Sequence, residues 1–158
     1  MTDSSSEFMQ EAIALSLSSV RFDQGGPFGA VVVKDGEIIA RGHNQVTSTN
    51  DPTAHAEIVV IRAACKALNT FQLTGCELYT SCEPCPMCLG AIYWARPDRV
   101  YYANTKADAA AIEFDDQFIY DELNVPPDQR QIPMIHMMRD EALVVFQEWA
   151  EKTDKVQY

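Results

Sequence analysis

His55-Ala56-Glu57, followed by Pro84-Cys85-Pro86-Met87-Cys88, supplies three side chains of the kind that hold zinc, with a carboxylate beside them. One imidazole and two thiolates leave a tetrahedral Zn²⁺ one ligand short, and the fourth position of a catalytic zinc is normally a water. Zinc lowers the pKa of such a water to about 7, so hydroxide becomes available near neutral pH. Glu57, two residues past the histidine, is placed to carry protons. It takes one from the water, passes it to a ring nitrogen of a substrate and finally protonates a departing amine. General acid/base transfer of this kind contributes about 10²- to 10⁴-fold. The chemistry implied is hydrolytic removal of an amino group, with the glutamate acting as acid and base and not as a ligand.

A non-catalytic alternative uses the same residues. Cys82-Glu83-Pro84-Cys85 is itself a C-x-x-C, so Cys82 could close the zinc sphere and make a zinc-stabilised binding module. A closed site has no use for a glutamate beside its histidine, and Cys82 reads better as a small residue supporting the loop. Cys65 and Cys76 lie on expected buried faces, where thiols usually serve packing. His43 and His136 read as structural or solvent-facing.

Several elements must position these groups. Ser4-Ser5-Ser6-Glu7 reads as a capping box, and Phe8, Ala12, Leu15 and Ser19 continue at helical spacing to about Val20. Gly25-Gly26-Pro27 ends that helix. Ala30 to Val33 and Glu37 to Ala40 flank Asp35-Gly36, a pair that favours a tight hairpin between two strands. After a polar loop over Gly42 to Thr53, a second helix spans Ala54 to Leu68, with His55 and Glu57 in its first turn. Cys76 to Thr80 reads as a buried strand, and a third helix opened by Cys85 and Cys88 ends near Ala95. Two helix N-termini at one sheet edge bring the ligands together and favour negatively charged thiolates there. Arg99 to Ala103 and Met134 to Met138 supply two more strands, and helices are expected near Ala107 to Asn124 and Asp140 to Glu151. The alternation implies a three-layer α/β/α sandwich around a five-stranded mixed sheet.

Composition sets the remaining bounds. A chain of 158 residues, 47% hydrophobic, fits one domain over 1–158 that buries about two thirds of its unfolded surface. Five cysteines are an odd number, and Met1 to Ser18 lacks a basic start followed by an unbroken apolar segment, so the expected setting is the reducing cytoplasm. No apolar run approaches the roughly 18 residues of a membrane span. Twelve basic against 23 acidic residues give a formal charge of -11, which opposes nucleic acid and favours a small uncharged substrate.

On Gly25-Gly26-Pro27-Phe28-Gly29-Ala30, Asn50 to Glu57, Tyr79 to Pro97 and Phe114-Asp115-Asp116 the chain resembles the cytidine deaminase superfamily. Within it, the similarity is to the small bacterial-type guanine deaminases and covers nearly the whole length. The zinc motifs mark the superfamily and the other segments the branch. The resemblance implies Zn²⁺ as cofactor, hydrolysis of guanine to xanthine and ammonia, and a homodimer. It also implies a C-terminal segment exchanged between subunits so that it closes the partner's pocket. Carried over by position, Asn44 hydrogen-bonds the purine, Phe28 stacks on it, Asp116 accepts a ring N–H or relays a proton, and Trp94 and Tyr158 wall the pocket.

Judged without the family, Asn44 is equally a turn residue, Asp116 a helix cap or solvated acid, and Phe28 and Trp94 core. Cytosine deaminases and tRNA adenosine deaminases share the zinc motifs, so His55, Glu57, Cys85 and Cys88 do not choose among substrates. The acidic balance speaks against tRNA, while Phe114-Asp115-Asp116 and the Tyr158 ending fit the guanine branch better than the cytosine one.

Overall fold

The computed structural model describes residues 3–158, with side chains from Ser5 onward. It divides into two compact units, Met1–Asp116 and Gln117–Tyr158. In the first unit, helix α1 spans Asp3–Arg21 and strands β1 (Gly29–Lys34) and β2 (Glu37–His43) form a hairpin. Asp35 (φ 51°) and Gly36 (φ 80°) both adopt left-handed backbone at its tip, the conformation an Asp-Gly pair tolerates and a two-residue hairpin requires. A short helix α2 (Val46–Thr49) interrupts the expected polar loop, and α3 follows over Ala56–Leu68. Then come β3 (Cys76–Cys82), α4 (Pro86–Ala95), β4 (Arg99–Asn104) and α5 (Lys106–Ala110).

The sheet order is β2-β1-β3-β4, antiparallel except for the parallel β3/β4 pair joined through α4. Alternation along β1 sends side chains to two cores. Ala30 and Val32 pack with Ala56, Val60 and Ala64 of α3 and with Ile92 and Ala95 of α4. Val31 and Val33 pack with Ala12 of α1 and with Tyr79. Helices therefore cover both faces, and the three layers expected from the sequence are present.

Three expectations need correction. Among the described residues the sheet has four strands, not five: residues 134–138 carry no regular structure and belong to no ladder, Met138 takes a left-handed φ of 54°, and Met134, Ile135, Met137 and Met138 are exposed. A short apolar run resembles a buried strand, yet its composition does not say whether a neighbouring edge exists to pair with it. The helix expected over Ala107 to Asn124 is two short ones, because Glu113 takes a left-handed φ of 71° and Phe114 N–H closes back on the Ala109 carbonyl. Helix α1 begins at Asp3, ahead of the expected cap; the side chain of Ser4 lies outside the described residues.

The second unit contains α6 (Gln117–Leu123), a 3₁₀ turn at Pro127–Gln129 and α7 (Arg139–Glu151). Arg130 and Gln131 tie its loop to α6: the guanidinium donates to the Glu122 carbonyl, and Gln131 N–H to the Glu122 carboxylate. No described helix is long and apolar enough to cross a membrane.

Candidate metal centre

The histidine is set by a folded loop. Asn50 takes a left-handed φ of 53°, and Asp51 Oδ1 accepts from both Thr53 N–H (2.8 Å) and the Thr53 hydroxyl (2.7 Å). The chain then enters α3 with His55 as its N-cap, one residue outside the first turn. Cys85 is likewise the N-cap of α4, with Pro86 at the first helical position, where a missing N–H costs nothing. Glu83 anchors the loop before it: its N–H donates to the Asn104 carbonyl (2.8 Å), and its carboxylate accepts from Lys106 N–H (2.9 Å).

These two starts bring His55, Cys85 and Cys88 into one group, with ligand atoms all within 4.8 Å of one another. His55 Nδ1 is 3.5 Å from each sulfur. Zn–N bonds of about 2.0 Å and Zn–S bonds of about 2.3 Å at a tetrahedral angle place N and S about 3.5 Å apart, so the donor set fits zinc in type and spacing. Cys82 does not complete the set, because its Sγ faces the Thr105 carbonyl at 3.7 Å. Burial pushes that thiol up to about 11.

The electrostatics favour anionic sulfur at the centre. The Cys88 S–H and then His55 lower the Cys85 thiol to about 4, while sharing that proton with Cys85 holds Cys88 well above the ordinary thiol range. The hydrogen bond to Cys85 raises the His55 imidazole. Glu57, in the first turn of α3, is 6% exposed, and burial raises its carboxyl pKa. Its Oε1 accepts from the Thr80 hydroxyl at 3.1 Å, and its Oε2 lies 3.5 Å from Cys88 Sγ. A carboxyl group thus sits beside the three possible ligands with its affinity shifted toward holding a proton.

Residues 2–104 match the family model described as the cytidine and deoxycytidylate deaminase zinc-binding region. The chain belongs to the cytidine and deoxycytidylate deaminase family. Among its relatives, the guanine deaminase of Bacillus subtilis is 55% identical over 151 residues, which cover 96% of this chain and 97% of that one. The X-ray structure of guanine deaminase from Bacillus subtilis matches with a TM-score of 0.95 and 53% identity, covering 100% of this chain and 99% of that chain. A tRNA-specific adenosine deaminase of Aquifex aeolicus is 47% identical over 92 residues, 58% of this chain and 61% of its own.

The other residues expected of this deaminase fold differ in how far the structure gathers them. Asn44 is buried beside the Gly25-Gly26-Pro27-Phe28 loop; its Oδ1 accepts from Gly26 N–H (3.0 Å) and Val46 N–H (3.2 Å), leaving the amide NH₂ as the group it can offer. A side chain at Gly25 would place its Cβ 2.1 Å from the Asn44 carbonyl oxygen, so only glycine permits that approach. Phe28 meets Phe114 edge to face, with ring centroids 5.0 Å apart. Asp116 is partly buried; burial first, and then the charge of Cys85, raise its carboxyl pKa. Trp94 lies on α4 and is exposed, and Tyr158 ends the second unit, also exposed. His43, at the end of β2, pairs its Nδ1 with the Asn44 carbonyl at 2.9 Å, a structural contact.

Two groups of this deaminase escaped the sequence reading. Thr80 reaches Glu57, and Ser81 Oγ accepts Gly29 N–H at 3.0 Å, fastening the residue after Phe28 to β3. The available signal was a pair of hydroxyls at the end of a strand that otherwise reads as fully buried, since a buried polar side chain needs a partner.

Proposed function

We propose that this protein converts guanine and water to xanthine and ammonia. The reading is carried by the convergence of His55, Cys85, Cys88 and Glu57 in a chain that matches a guanine deaminase over nearly its whole length. His55, Cys85 and Cys88 hold Zn²⁺, which when bound supplies the Lewis acidity that readies a water for attack near neutral pH. Glu57 accepts a proton from the attacking water, gives it to the ring nitrogen beside the amine-bearing carbon, and protonates the departing amine. Asn44 donates its amide N–H to an acceptor on the base. Phe28, braced by Phe114, stacks on the ring. Asp116 accepts a ring N–H or relays a proton, and Trp94 and Tyr158 wall the pocket.

The same reading takes residues 1–158 as one functional domain in a cytoplasmic homodimer with an exchanged C-terminal segment. Support comes from the large apolar side chains of the second unit, such as Ile132 (81% exposed) and Ile135 (82% exposed), a surface better suited to a partner than to water. All five cysteines are free, which fits a reducing compartment. The charge of -11 favours a free base over tRNA. An ammonia-release panel of guanine, guanosine, cytosine, cytidine, adenine and adenosine tests the assignment. Guanine is expected to dominate; release confined to cytosine or adenosine would move the protein to another branch, and none at all would leave a binding module.

A further inference from the structure

Thr80 is 1% exposed, and its backbone is locked in the middle of the sheet, opposite Ala30 of β1 on one side and Tyr102 of β4 on the other. Its β-branched side chain has little rotamer freedom. The hydroxyl donates to Glu57 Oε1 at 3.1 Å, while Oε2 lies toward Cys88 Sγ at 3.5 Å. The two oxygens of one carboxylate therefore have different surroundings, one tied to a rigid strand and the other turned to the metal ligands.

We propose that Thr80 is a positioning residue: by anchoring Oε1 it fixes the plane of the Glu57 carboxylate and leaves Oε2 as the oxygen that carries protons. This rests on the role proposed for Glu57. The terminal torsion of a glutamate is broad and roughly two-fold, and without the Thr80 donor only the Glu57 backbone N–H and the Cys88 thiol hold the carboxylate plane. Proton transfer needs the donor and acceptor held within hydrogen-bond reach, and a misplacement of about 1 Å is enough to cost rate. A threonine hydroxyl suits the task because it donates to Oε1 whether or not Oε2 carries the proton, and does not itself ionise.

Thr80→Val removes the hydroxyl at nearly constant size, and Thr80→Ser keeps it. Losing one hydrogen bond to a carboxylate is expected to lower kcat for guanine about 10- to 100-fold. KM should stay within about two-fold, because ground-state binding is not the affected step. Zinc content and thermal midpoint should stay near wild type, and Thr80→Ser should recover most of kcat. Crystal structures of the metal-free wild-type and valine proteins read the carboxylate directly, and in the variant it should be rotated. Thr80→Ala serves the same comparison where valine impairs folding.

Full kcat in the valine variant, a serine variant as impaired as valine, or an unmoved carboxylate would each overturn the proposal. Should the wild-type protein release no ammonia from guanine, the proposed function falls, and the crystallographic comparison still decides the role of Thr80.

Discussion

Strand β3 serves two carboxylates, one near each end, and they are held in opposite ways. Glu77, near the start of the strand, accepts the Tyr79 hydroxyl at 2.8 Å and the Tyr101 hydroxyl at 3.5 Å, with Arg99 Nη1 3.8 Å away. The two tyrosine rings stack at 4.5 Å with an interplanar angle of 13°. That carboxylate has a guanidinium beside it. Glu57, reached from the other end through Thr80, is more deeply buried, and among the described residues no lysine or arginine pairs with it. Burial without a cationic partner raises its proton affinity, whereas a cation would lower it. The carboxylate at the start of the strand has a basic side chain beside it, and the one reached through Thr80 has no lysine or arginine among the described residues.

Removing the metal's hold should give the largest effect and break the difference at its source. Cys88→Ala is expected to lose zinc on dialysis, read by metal analysis, and to lose ammonia release to background, while the Glu77 network stays intact by circular dichroism. Glu57→Gln comes next. It should retain zinc but lose about 10²- to 10⁴-fold in turnover, and a fully active variant would end the proton-carrier role.

The smallest effect belongs to the other pole. Tyr79→Phe should leave kcat unchanged and cost about 1 kcal/mol in denaturant unfolding at neutral pH, through the lost bond to Glu77. Burial pushes the Tyr79 hydroxyl up to about 12, against about 10 in an unfolded chain. Between those values the unfolded chain has shed the proton that the folded one keeps. Wild-type stability therefore falls as pH rises from about 10, and the phenylalanine variant should show a shallower decline.

Much of this arrangement was legible in the sequence, because the informative residues act locally. The spacing His55-Ala56-Glu57 and Cys85 to Cys88 places groups at helix starts whatever the rest of the chain does, and Asp35-Gly36 specifies its own hairpin. Periodicity likewise placed α1, α3, α4 and α7 to within a few residues. What failed depended on distant partners. Residues 134–138 have the composition of a strand but join no ladder, and the break at Glu113 rests on one left-handed residue that no pattern announces. The Thr80 to Glu57 and Ser81 to Gly29 bonds span 23 and 52 residues, and nothing in a linear reading pairs such positions.

His55 and Cys85 open their helices without any side-chain hydrogen bond to the backbone beyond them. Serine, threonine, aspartate or asparagine at such a place would typically stabilise the fold by about 1 kcal/mol over a residue that cannot cap. Both positions are closed to that improvement, since the replacement that would harden the protein would also remove one of the donor atoms that His55, Cys85 and Cys88 bring together. Attempts to make a hardier version of this molecule must look elsewhere, because these two helix starts present donor atoms where a cap would otherwise sit.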